Sequence, residues 1–232
     1  MKRISLLAAL VSSTLGLAAH AQDLEVTVTN LTQGIYYTPI LIAAHNSDAD
    51  LFTVGEMASA ELQAMAEGGD ISGLSALMTA ANAEIVENPA EGLLAPANST
   101  TAMLSTMEGN KYLSLVSMML PTNDGFIGVD SWMIPSEAGT YTFTLSAYDA
   151  GTEANDEIVN GGGAPGVAGI PIAPGGDAGT GGSGVTSMEE NTMIHVHRGS
   201  LGDDDLAGGK SDLDNTVHRW LNPVARVTVV VK

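Results

Sequence analysis

Two acidic stretches hold the side chains best suited to chemistry. One runs Asn123-Asp124-Gly125-Phe126-Ile127-Gly128-Val129-Asp130-Ser131 and the other Tyr148-Asp149-Ala150-Gly151-Thr152-Glu153. Each sets carboxylates where an apolar, alternating run meets a Gly-containing turn, and a hard cation such as calcium takes oxygen ligands from strand ends of this kind. Asp149 and Glu153, four apart across a tight turn, can face one concavity. If the loop before Phe126 lies at the same end of the fold, Asp124 joins them, and three like charges that close repel unless a cation stands between them. A solvated acidic turn meets the same spacing, so the pattern alone leaves both readings open.

The other polar clusters are weaker signals. Asp203-Asp204-Asp205, Asp212 and Asp214 surround Gly208-Gly209. They have the composition of a calcium loop without the EF-hand register or its final Glu, and read as a solvated loop before they read as a second metal site. His195 and His197 share one strand face, and with His218 they could bind zinc or copper and support a metal-dependent enzyme. Histidines at period two on a polar face need no metal, however. No G-x-S-x-G elbow or other nucleophile arrangement accompanies them, so the chain reads as non-enzymatic. Asp130, inside its strand, reads as a structural hydrogen-bonding group.

Composition narrows the setting. Lys2 and Arg3, the apolar run Leu6 to Leu17 and the small-x-small site Ala19-His20-Ala21 describe a secretory leader over residues 1–21, cleaved after Ala21. The expected location is therefore secreted or periplasmic, and no later segment is apolar enough to span a membrane. The formal charge is −19, and loss of the two charges of Lys2 and Arg3 takes it to −21. That field repels nucleic acid and anionic lipid and attracts cations. With no cysteine, disulfides and thiolate chemistry are excluded, and stability must come from the core, aided by any bound metal.

The elements that must position the acids are mostly strands. Leu24, Val26 and Val28 alternate with polar neighbours, as do Tyr141, Phe143, Leu145 and Ala147. Tyr112 to Met119, Phe126 to Ser131, Thr192 to His197 and Val224 to Val231 add further strands. Ile35 to Ala43 is an apolar run broken at Pro39. A helical excursion places Leu62, Met65 and Ala66 on one face and Leu74, Leu77 and Met78 on another, with Asp70 or Ser72 as N-cap, and ends near Asn88-Pro89. Residues 160–184, rich in Gly, Pro and Ala, read as a long surface loop, too poor in large side chains to order itself. The sum is one all-β domain over residues 22–232, an antiparallel β-sandwich with a short helical insertion.

Several motifs together resemble the spondin N-terminal domain. Leu120 to Ser131 is similar to that family's P-S-P-D-W-F-V-G-[VI]-D-S segment, and Tyr148 to Glu153 to its Y-D-A-G-T-D. Ala66-Glu67-Gly68-Gly69 resembles its A-E-x-G helical segment, and Pro223 to Thr228 its closing P-[IP]-A-R-V-T strand. The resemblance implies a C2-like sandwich with one Ca2+ held at the positions of Asp124, Asp149 and Glu153, Glu here standing where the family has Asp. Together with the three acids it points to a secreted adhesion or ligand-binding module for an extracellular-matrix or cell-surface ligand. The animal members carry cysteines that this chain lacks, so their own matrix partners do not carry over. Calcium-dependent lipid binding, as in C2 domains, is the other function such a fold suggests.

Overall fold

The computed structural model describes residues 21–173, 178–188, 191–205 and 207–232. The expected leader lies, but for Ala21, outside them. In chain order the elements are β1 (Asp23–Asn30), β2 (Tyr36–Tyr37), β3 (Leu41–His45), α1 (Ala60–Gly68), α2 (Ser72–Ala80), β4 (Glu84–Glu87), β5 (Ser99–Ser105), β6 (Tyr112–Leu120), β7 (Gly125–Met133), β8 (Gly139–Leu145), β9 (Ala147–Asp149), β10 (His195–Val196) and β11 (Ala225–Val231). They form two antiparallel sheets, one ordered β5-β1-β11-β8 and the other β10-β9-β7-β6-β3-β4 with β2 beside β6. The all-β sandwich with a short helical insertion is the fold expected from the pattern.

Period-two burial builds the space between the sheets. Leu24, Val26 and Val28 of β1 and Val227, Val229 and Val231 of β11 face Ile42, Leu113, Leu115 and Ile127 of the second sheet. A second core lies on the far face of that sheet. There Leu41, Ala43, Val116, Met118 and Phe126 pack under Leu62 and Met65 of α1 and Leu74 and Met78 of α2. A sheet covered on both faces needs continuous apolar strands rather than alternating ones. This is why all five residues of β3 are buried, and why eight of the nine in β6 are.

The helical excursion is shorter than its pattern suggests. α2 stops at Ala80, Asn82 takes a positive φ of 57°, and Glu84–Glu87 then pairs with β3 as β4. Pairing across the sheet overrides the local helical periodicity there. Leu77 points outward, 47 % exposed, while Leu74 and Met78 are buried. Neither Asp70 nor Ser72 is the N-cap of α2. That position is Ile71, which makes no side-chain capping bond, and Asp70 accepts the Ser72 amide at 2.9 Å.

The alternating run through Tyr141 and Ala147 is divided between the two sheets. β8 pairs with β11 in the first, and β9 pairs with β7 and β10 in the second. The crossing at Ser146 is fixed by Asn222 Oδ1, which accepts the Ala147 amide at 2.7 Å. This crossing carries Asp149 from one layer to the other.

Candidate metal centre

Register brings the acids together. Gly125, the first residue of β7, stands opposite Asp149, the last of β9. Asp124 therefore faces the turn that follows Asp149, and the Ala150 amide bonds the Asp124 carbonyl at 3.2 Å. Asp124 Oδ2 accepts the Thr152 amide at 2.8 Å, the Thr152 hydroxyl at 3.2 Å and the Glu153 amide at 3.3 Å. Asp149 Oδ1 accepts the Gly151 amide at 2.9 Å, and its Oδ2 accepts from Asn155 Nδ2 at 2.6 Å. Glu153 Oε2 accepts the Gly169 amide at 2.8 Å. Gly151 has φ +70°, and a Cβ there would stand 2.7 Å from the Thr192 carbonyl carbon, so the turn requires glycine.

Asn123, a residue the pattern gave no role, joins the segments behind the turn. Its amide nitrogen donates to Asp156 Oδ1 at 2.8 Å, and its oxygen accepts the Glu157 amide at 3.1 Å.

The electrostatics are unbalanced. Asp124 is fully buried. Burial first, then the Asp149 charge, pushes its carboxyl up to about 8, against the lowering effect of the Thr152 and Glu153 amides. Burial likewise pushes Glu153 up to about 7, opposed by the Gly169 amide and reinforced by the charge of Glu67. Among the described residues no Lys or Arg forms a salt bridge with Asp124 or Glu153; His195 approaches Asp149 Oδ2 at 3.8 Å and His197 at 4.0 Å. Six buried side-chain atoms among the described residues lack a hydrogen-bond partner. Two of them are Asp124 Oδ1 and Glu153 Oε1, a third is His197 Nε2, and a fourth is the indole nitrogen of Trp220, whose ring centroid is 5.0 Å from that of His197. Unpaired buried polar atoms are costly, and most of them gather at this rim.

Among the described residues, no three His, Asp or Glu side chains are drawn into a closed metal-ligand cluster. The bonds above give the reason: Asp124 Oδ2, both Asp149 oxygens and Glu153 Oε2 are engaged by amides, which leaves Asp124 Oδ1 and Glu153 Oε1 as the carboxylate oxygens without partners. Oxygen donors, partly deprived of hydrogen bonds and close to like charges, fit a hard cation.

The histidines are arranged differently from a ligand set. His197 Nδ1 accepts the Gly199 amide at 2.9 Å, so its neutral ring carries the proton on Nε2 and offers no lone pair there. Burial, with Arg198 and His195 nearby, pushes it down to about 3. Its approach to Asp149 is therefore not an ion pair. His218 Nδ1 accepts the Asp214 amide at 3.0 Å and belongs to the 203–218 segment. In that segment Asp203 holds the amides of Asp205, Lys210 and Ser211, Asp212 those of Val159, Gly181 and Gly182, and Asp214 that of Thr216. These carboxylates fold their own loops.

Asp130 is also structural: it accepts the Leu51 amide at 2.7 Å and the Ser114 hydroxyl at 3.2 Å. Ser114 in turn touches His45 Nε2 at 2.7 Å. This Ser, His and Asp grouping is no catalytic triad, because the Asp meets the Ser rather than the imidazole, and Ser114 is fully buried.

Residues 25–157, more than half of the chain and including all three acids, match the Spondin_N family model. The chain belongs to the spondin N-terminal domain family. As a spondin-type domain it is an extracellular module from a non-enzymatic family. The match ends before the Gly-rich segment, β10 and β11, although β11 is an inner strand of the first sheet. No curated protein matches the chain. No helix among the described residues is long and apolar enough to cross a membrane.

Proposed function

We propose that this spondin domain is a secreted, non-enzymatic binding module organised by one calcium ion at Asp124, Asp149 and Glu153. The observation that carries the reading is the pair of buried carboxylate oxygens without partners, Asp124 Oδ1 and Glu153 Oε1, set among like charges. Bound calcium would supply the positive charge that these carboxylates lack. The chain's own groups do the rest. Asp124 ties the start of β7 to the 150–153 turn, Asp149 fixes the turn through Gly151 and Asn155, and Glu153 holds Gly169. The rim so fixed is the surface offered to an extracellular-matrix or cell-surface ligand.

Calcium titrated into chelator-stripped protein should give a saturable calorimetric isotherm. It should also raise the melting temperature, since a ligand at one hundred times its Kd stabilises by about 2.7 kcal/mol. Asp149→Ala should abolish both effects. Trp220, packed on His197 beside Asp149, gives a second readout in its emission. A wild-type protein with no isotherm and no shift in melting would remove the calcium reading.

A further inference from the structure

Glu67, at the end of α1, stands outside the three acids argued above, yet it is fully buried. Gln63 donates to its Oε1 at 2.8 Å and the Gly166 amide to its Oε2 at 2.6 Å. Glu153 takes the Gly169 amide, three residues further on. The buried Glu67 and the half-buried Glu153, from distant parts of the chain, thus grip one short loop.

That loop has few other holds. No charged side chain occurs from Ile158 to Ala173. The Ile170 amide bonds the Ile158 carbonyl at 2.7 Å, and Asn160 bonds Gly162 and Ala168. Ile170 anchors the end in the second core, while Val167 at the tip is 51 % exposed. Helix and loop approach at backbone distance: a Cβ on Gly68 would strike the Gly163 carbonyl oxygen.

Among the described residues neither Glu67 nor Glu153 forms a salt bridge with a Lys or Arg, and buried carboxylates without a counter-charge are strongly disfavoured. The Glu67 charge also reaches Glu153, adding to the effect of burial on that carboxyl.

We propose that Glu67 is a fourth carboxylate of the cation centre, acting from behind Glu153, and that the two glutamates make the position of loop 160–170 depend on the cation. Its charge strengthens cation binding, and its grip on Gly166, with that of Glu153 on Gly169, passes the state of the centre to the uncharged tip Ala164-Pro165-Gly166-Val167-Ala168. The inference rests on the calcium reading above.

The test is calcium calorimetry on the whole domain, wild type against Glu67→Gln, which removes the charge, keeps an acceptor for Gly166 and turns the other oxygen into a donor that a flipped Gln63 amide can accept. Affinity should fall about tenfold. Amide exchange at Gly166 and Gly169 of the wild type, with calcium and with chelator, is the second readout, and calcium should slow both. Wild-type affinity in folded Glu67→Gln overturns the role of Glu67 and leaves the calcium reading standing. If the variant does not fold, equal exchange with and without calcium overturns it. A wild type that binds no calcium overturns both readings at once.

Discussion

Individual carboxylates set the properties most open to measurement. Asp124 and Glu153 carry raised values, about 8 and about 7. In the cation-free protein their protonated forms are favoured by folding, so the stability they contribute is greatest at acid pH. It declines as pH rises from the ordinary carboxylate range, and is gone above those values. The melting temperature in chelator should therefore fall between pH 5 and pH 9, and added calcium should raise it more at the alkaline end. Asp124→Asn should flatten the chelator profile. Gly151→Ala forces a side chain against the Thr192 backbone at positive φ and should cost about 2 kcal/mol by denaturant melt. The positions of Asp124, Asp149 and Glu153 were legible because each sits where a short alternating run meets a turn. Glu67, Asn123 and Glu157 were not. They are buried polar groups that each bond to a segment far away in the chain, Gly166 for Glu67, Asp156 for Asn123 and Leu201 for Glu157, and no local period marks such a partner.

Elements are joined by a few long-range bonds. The Tyr37 hydroxyl of β2 donates to the Val224 carbonyl just before β11, linking the two sheets. Tyr37→Phe should cost about 1 kcal/mol in a chemical melt. Glu157 accepts from the Leu201 and Gly202 amides and the Ser211 hydroxyl. Glu157→Ala orphans three donors and should cost about 3 kcal/mol, with amide protection lost first across residues 199–214. At this scale β1, β8 and β11 of the first sheet were readable because one face is wet and alternation survives; β5 was not, because its inward Thr100 and outward Met103 blur the pattern. The end of the helical excursion was not, because β4 owes its conformation to β3 rather than to its own residues. The division of one alternating run between two sheets was hidden for a related reason: side chains keep their in-and-out rhythm through the corner at Ser146. Residues 160–184 were expected to lack order for want of apolar burial, and residues 160–170 among them are ordered. Carboxylates, backbone bonds and the single buried Ile170 hold them instead.

The whole molecule carries a net charge of −19 with only 8 basic residues. Self-repulsion on that scale should make the chelated protein more stable as ionic strength rises, because exposed charges are screened beyond about 10 Å at 0.1 M salt. Melting temperature across a sodium chloride series in chelator should increase, and a flat series would show that local bonding outweighs the global field. The first sheet also fixes a polarity for the molecule. Asp23 and Lys232 are bonded neighbours at one end of the β1–β11 pair, whereas Asn30, Ala225 and Leu145 stand at the other, where the chain crosses towards Asp149. Coupling the domain to a bead or a sensor chip through either terminus would then leave its acidic mouth pointing away from the support, open to whatever flows past.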